Sequence, residues 1–153
     1  MIISIIKKIP SAKISVVAAT LALAACAHTP DLIILDSDLS FEFGQAELTP
    51  EGRKQIDMYV PSLASRGEIR LEVVGHTDRI GSDSANMVLS KRRAEAVRDR
   101  LLSSGRLDAE QIKTRGVGSR NPVVYCDQAN RQALIACLAP NRRVEINVVD
   151  IRW

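Results

Sequence analysis

Asp78 and Arg93 are the residues whose types and setting point most directly to chemistry. Asp78 stands in Gly75-His76-Thr77-Asp78-Arg79-Ile80-Gly81-Ser82, where an apolar strand pattern runs into a glycine-bracketed turn. At about 100° per residue, Asn86, Leu89, Ser90, Arg93, Ala94, Val97 and Leu101 fall on one helical stripe. Arg93 lies inside this small and apolar stripe, whereas Arg92 and Arg98 point well away from its centre. A guanidinium turned toward a core needs an anion, since burial otherwise removes its water uncompensated. Asp78 is one candidate partner and a ligand carboxylate is another. Each residue also has a plainer reading, Asp78 as a turn cap and Arg93 as a structural ion pair. His76 and Asp78, two apart at a strand end, have the types for general-base chemistry. No nucleophile stands at a recognisable spacing, so catalysis is not expected.

The elements that must position this pair follow from pattern. Leu39 to Phe43 (LSFEF) alternates apolar and polar and predicts a first strand, ended by Gly44. Thr49-Pro50-Glu51 predicts a helix start, with threonine as N-cap and proline at the first helical position. Ile56, Tyr59, Val60 and Leu63 form its apolar face, and Pro61 predicts a stop near Val60 or a kink. Ile69, Leu71 and Val73 alternate in a second strand leading to Gly75. The helix over 86–102 stops near Gly105, residues 107–112 form a short helical turn, and 112–117 a third strand. Val144, Ile146 and Val148 mark the last. The order βαβαββ predicts an α+β sandwich, two main helices packed on one face of a mixed four-stranded sheet. Lys91, Arg92, Arg98 and Arg100 are expected to form a solvated helix face, and Arg142 and Arg143 to be structural or solvated.

The first 25 residues have a different character. Lys7, Lys8 and Lys13 precede the short apolar run Ile14 to Ala25, which matches a secretory leader and is short for a membrane span. Leu23-Ala24-Ala25-Cys26 resembles a bacterial lipobox, which makes Cys26 the expected acylation site and new N-terminus. More than one acyl chain is what stable anchoring requires. Residues 26–37 then form the lipidated cysteine and a short tether, its 27–36 stretch reaching about 35 Å, and 38–153 the domain. His28 falls in the tether and is expected to be solvated. Taking the three leader lysines from the 21 basic residues leaves 18, equal to the 18 acidic ones. A neutral mature chain lacks the basic excess of a nucleic-acid binder. Cys126 and Cys137 lie beyond a secretory leader, in an oxidising compartment, and read first as a disulfide. No CxxC and no nearby histidine accompany them, so no metal is expected.

Taken together, Gly75-His76-Thr77-Asp78-x-x-Gly81-Ser82, Asn86-x-x-Leu89-Ser90-x-x-Arg93-Ala94 and Asn141-Arg142-Arg143-Val144-Glu145-Ile146 resemble the OmpA-like peptidoglycan-binding domain. Phe41-x-Phe43 with Leu48-Thr49 resembles that family's opening strand, and Cys126 to Pro140 its disulfide loop. The resemblance covers about residues 38–150. It implies non-covalent binding of peptidoglycan through the free D-centre of meso-diaminopimelate, with no cofactor. Asp78 would pair with the ammonium and Arg93 with the carboxylate. A zwitterion needs one anion and one cation about a head group apart, joined by charge-assisted bonds. Asn86 and the backbone around Gly44, Ile80 and Gly81 would complete the pocket. Many relatives carry Asp or Asn at the position of Gly44, so a side-chain contact is lost here. The implied protein is a lipid-anchored, periplasm-facing component of the outer membrane that links membrane to wall. Its alternative is a scaffold subunit of an envelope complex (secretion, motility or Tol-like) with mainly protein partners.

Overall fold

The computed structural model describes residues 32–42 and 44–152, with side chains described as far as Val149. The expected leader, Cys26, His28 and Phe43 lie outside the described residues. Strand β1 (Leu32–Asp36) leads into a single helical turn α1 (Ser37–Ser40), then helix α2 (Pro50–Ala64) and strand β2 (Glu68–Gly75). Helix α3 (Asp83–Leu102), a 3-10 turn over Ala109–Gln111, strand β3 (Ile112–Gly116), short helix α4 (Arg131–Cys137) and strand β4 (Arg143–Arg152) complete the order. The sheet runs β1-β4-β2-β3. Strand β4 is antiparallel to both β1 and β2, while β2 and β3 are parallel neighbours joined through α3. This is the expected α+β architecture on a mixed four-stranded sheet.

Alternation divides the sheet. Ile33, Leu35, Ile69, Leu71, Val73, Val144 and Ile146 are buried in one core with Ile56, Val60 and Leu63 of α2 and Ala94, Val97 and Leu101 of α3. Glu72, Val74, His76, Arg115, Glu145 and Asn147 line a shared groove with Leu32.

The first strand differs from expectation. It forms at Leu32–Asp36, within the stretch expected to be tether, and not at Leu39–Phe43. Leu32-Ile33-Ile34-Leu35 is a continuous apolar run that hides the alternation its burial reveals, with Ile33 and Leu35 inward and Leu32 and Ile34 outward. Asp36 then accepts the Asp38 N–H at 2.7 Å and turns the chain into α1. Phe41 keeps only an isolated bridge to Leu48. Helix α2 begins as expected, Thr49 Oγ1 accepting the Gly52 N–H at 3.0 Å, but it continues past Pro61 to Ala64. Proline there removes one donor in the last turn, and complete burial of Leu63 rewards the extra residues. Helix α3 starts at Asp83, capped by Ser82, three residues before the expected position.

Candidate functional site

Helix α3 approaches the sheet through small residues. A Cβ on Gly75 would lie 1.9 Å from the Ser90 carbonyl oxygen, and one on Gly116 would lie 2.4 Å from the Lys91 nitrogen. The Ser90 hydroxyl sits in this seam, accepting the Gly118 N–H and donating to the Met87 carbonyl, both at 2.9 Å. The close approach fixes α3 against the end of β2, where the His76-Thr77-Asp78 turn emerges. Asp78 Oδ1 accepts the Ile80 N–H at 2.8 Å, closing an Asx turn. Asn86, in the first turns of α3, donates to the carbonyls of Asp78 and Ile80 at 3.2 Å. Its side chain staples the turn to the helix.

Asp78, Ile80, Asn86, Leu89 and Arg93 line a cavity of about 480 Å³ together with Gly44. Five of the six expected ligand-contacting residues are thus brought together. Gly81, with φ of 100°, instead lines an adjoining surface hollow that shares Gly44, Ile80 and Asn86. Arg93 is 4 % exposed. Its Nε donates to the Gln45 carbonyl at 2.8 Å, and its guanidinium stacks on the Phe41 ring, 5.1 Å from the centroid. Burial holds its pKa below the ordinary arginine value, opposed by the nearby carboxylates of Asp38 and Asp78. No direct ion pair joins Asp78 to Arg93 among the described residues.

Asp78 pairs instead with Arg142, whose Nη1 donates to Oδ2 at 2.7 Å. Arg142 also grips Asp38 with two parallel bonds, Nε to Oδ1 at 2.8 Å and Nη2 to Oδ2 at 2.6 Å. Those bonds to Asp38 are the main reason the Arg142 pKa is raised, and the Asp38 carboxyl is correspondingly lowered. Arg142 is thus paired rather than solvated, and it also lines the cavity. Arg143 is structural, 6 % exposed with Nε on Glu145 at 2.8 Å. The α3 charges lie outward: Lys91 is paired with Glu95, Arg98 with Asp99, and Arg100 with Asp57.

The sequence reading missed one wall of the cavity. Ser37, Asp38 and Phe41 line it from the α1 region, and Arg131 and Ile135 from α4. The disulfide of Cys126 and Cys137 forms as expected and spans α4. Asp38 carried no motif, and α4 had no periodic signal in seven residues. Two buried hydroxyls on the cavity wall, Ser37 Oγ and Thr77 Oγ1, have no hydrogen-bond partner among the described residues. Unpartnered buried donors are costly unless a ligand or solvent meets them. The cavity lining therefore combines the Arg93 guanidinium, the Asp38 and Asp78 carboxylates and two spare hydroxyls, groups that can meet both charges of a small dipolar head group. His76, whose ring nitrogens make no hydrogen bond among the described residues, belongs to the groove on the other sheet face. Among the described residues no group of three or more His, Cys, Asp and Glu is placed to hold a metal ion.

Known proteins resemble this chain in sequence and in fold. The chain is 46% identical over 123 residues to "Outer membrane protein A" of Escherichia coli O157:H7, covering 77% of this chain and 35% of that protein. It is 44% identical over 117 residues to "Outer membrane protein P5" of Haemophilus influenzae, covering 74% and 33%. The chain thus spans about a third of the length of these curated relatives. Among solved structures, the cell wall anchor of the T6SS from Pseudomonas aeruginosa superposes with a TM-score of 0.62 at 27% identity, covering 76% of this chain and 79% of that one. The peptidoglycan-associated lipoprotein from Burkholderia pseudomallei shares the fold, with a TM-score of 0.61 at 24% identity over 72% of this chain and 88% of that one. The pattern that defines the OmpA family matches residues 40–135. By this match the chain belongs to the OmpA family.

Proposed function

We propose that this protein binds peptidoglycan without covalent chemistry, taking the D-centre of meso-diaminopimelate between Asp78 and Arg93. The observation that supports the reading is that both residues line one cavity, each largely withdrawn from water. A ligand carboxylate would receive the guanidinium of Arg93, and its ammonium would meet Asp78. Asn86 and the Ile80 segment keep that aspartate in place. The names of two neighbours, a peptidoglycan-associated lipoprotein and a cell wall anchor, point the same way. The proposed lipid on Cys26 would hold the domain at the outer membrane and complete a membrane-to-wall link.

Pelleting the detergent-purified protein with insoluble peptidoglycan tests this. Wild type should co-sediment and be released by free diaminopimelate, and the Asp78→Ala, Arg93→Ala double variant should stay in the supernatant. A folded wild type that remains soluble would sink the wall-binding reading. One observation favours the second reading, a scaffold with protein partners. With β1 starting at Leu32, only five residues separate Cys26 from the folded domain, a reach of about 20 Å. A partner that co-purifies with the double variant would support that role.

A further inference from the structure

We infer that Asp38 decides which head groups the cavity accepts, by neutralising Arg142 so that Asp78 keeps its charge for a ligand cation. The inference rests on the ligand reading above and adds a residue that no motif marks. Asp78 has both oxygens engaged, Oδ1 by the Ile80 N–H and Oδ2 by Arg142 Nη1. Against Arg142 alone, the aspartate forms a neutral pair, and an arriving ammonium meets a guanidinium at the same oxygen. Asp38 changes the charge count. It holds Arg142 through Nε and Nη2, while the Ile135 carbonyl accepts from Nη1 at 3.1 Å. Arg142 then stays fully partnered when a ligand ammonium takes its place on Asp78. Two carboxylates facing one guanidinium leave a net negative charge at this end of the cavity. At the other end the aromatic face of Phe41 and the Gln45 carbonyl meet Arg93 without cancelling its charge.

The side chains grade from water inward in the order this role needs. Asp38 is 48% exposed, Arg142 16% and Asp78 9%. The carboxylate that serves as counter-ion sits at the rim, where it is readily hydrated, and the one offered to the ligand sits deep, where its charge is least screened. Without Asp38, the guanidiniums of Arg93 and Arg142 would face the single carboxylate of Asp78 with one positive charge in excess, while Arg131 and Glu42 of the lining offset each other. The site would then prefer plain carboxylates to zwitterions.

Calorimetry on the full-length protein in detergent, with meso-diaminopimelate and with pimelate (the same chain without ammonium groups), tests the assignment. Asp38→Asn should lose about tenfold or more in diaminopimelate affinity while pimelate binding holds or strengthens. In an Arg142→Gln background the same Asp38→Asn change should have little effect on diaminopimelate, because no guanidinium remains to neutralise. Wild-type affinity in Asp38→Asn would overturn the assignment. So would an equal loss for both ligands, or a loss that persists without Arg142, which would make Asp38 a direct contact. If Arg142→Gln fails to fold, the ratio of the two ligands in the single variant decides. Failure of wild type to bind diaminopimelate at all is a different result, which removes the ligand reading and this inference together.

Discussion

Arg93, the proposed partner of a ligand carboxylate, illustrates how a charge kept for binding would oppose stability. It is 4 % exposed, makes one hydrogen bond to a carbonyl and rests on Phe41, with no carboxylate in direct contact among the described residues. A buried charge so placed lacks the partner that would offset its lost hydration. Arg93→Met should therefore keep or raise the melting temperature, because Gln45 is exposed and water can serve its freed carbonyl. The same change should cost about 2–5 kcal/mol in wall binding. Thermal melts and co-sedimentation would check both halves, and a variant that melts much earlier would show that the arginine is structural. His76 gives a prediction in pH. It is 3 % exposed and faces Glu145 at 3.6 Å, with Arg143, Arg115 and Glu72 around it. Burial first, then Arg143, holds its pKa below the ordinary 6.5. The unfolded chain then takes up a proton at higher pH than the folded one, so stability falls as pH drops below about 6.5 and levels off once the folded histidine has titrated. His76→Gln should remove this part of the acid slope. Identical slopes between about pH 7.5 and 5 in both proteins would contradict it.

At the scale of elements, the site depends on one close contact, and the sequence conveyed most of it. Ser90 and Ala94 shared a stripe with Arg93, and that stripe is buried as the spacing predicts. What spacing could not convey is that Gly75 and Gly116 are empty because α3 lies on them. Gly75→Ala should destabilise the fold by about 3 kcal/mol, since its Cβ would overlap the Ser90 backbone and a helix must shift. A denaturation midpoint unchanged by this substitution would refute the tight seam. The edges of the fold were harder to read for a related reason. Local alternation marked Leu39 to Phe43 as a strand, but pairing with β4 is a tertiary matter and selected Leu32–Asp36. The α4 wall was invisible because a seven-residue helix ending in Cys137 is tied by the disulfide and buries no apolar stripe. Replacing Cys126 and Cys137 by serine should cost about 3 kcal/mol by the chain-entropy argument. It should also weaken ligand binding, because Ile135 supplies the carbonyl that holds Arg142 Nη1. Loss of stability with unchanged affinity would separate the staple from the site.

At the scale of the whole molecule, the position of β1 sets the geometry of anchoring. Its edge strand begins at Leu32, so the proposed acylated Cys26 is joined to the folded domain by five residues. Fully extended, that segment spans about 20 Å, little more than half the reach expected when the domain was placed from residue 38 onward. Such a short link would keep the cavity near the membrane face, and wall binding would then require the wall to come close or the membrane to bend. The charge balance adds to this picture. With 18 basic and 18 acidic residues after the proposed leader, long-range electrostatics would not draw the domain toward an anionic surface, and contact would depend on the local charges of the cavity. Inserting about 20 Gly/Ser residues before Leu32 would extend the typical reach by roughly 25 Å without touching the fold. Binding of the purified variant to peptidoglycan should equal that of wild type, since the cavity is unchanged. In cells, crosslinking between the protein and the wall should rise if distance limits capture. Equal crosslinking with both lengths would mean that the wall already lies within reach of the native tether. A fall would mean that a partner holds the short-tethered domain in place, which is the behaviour of a scaffold.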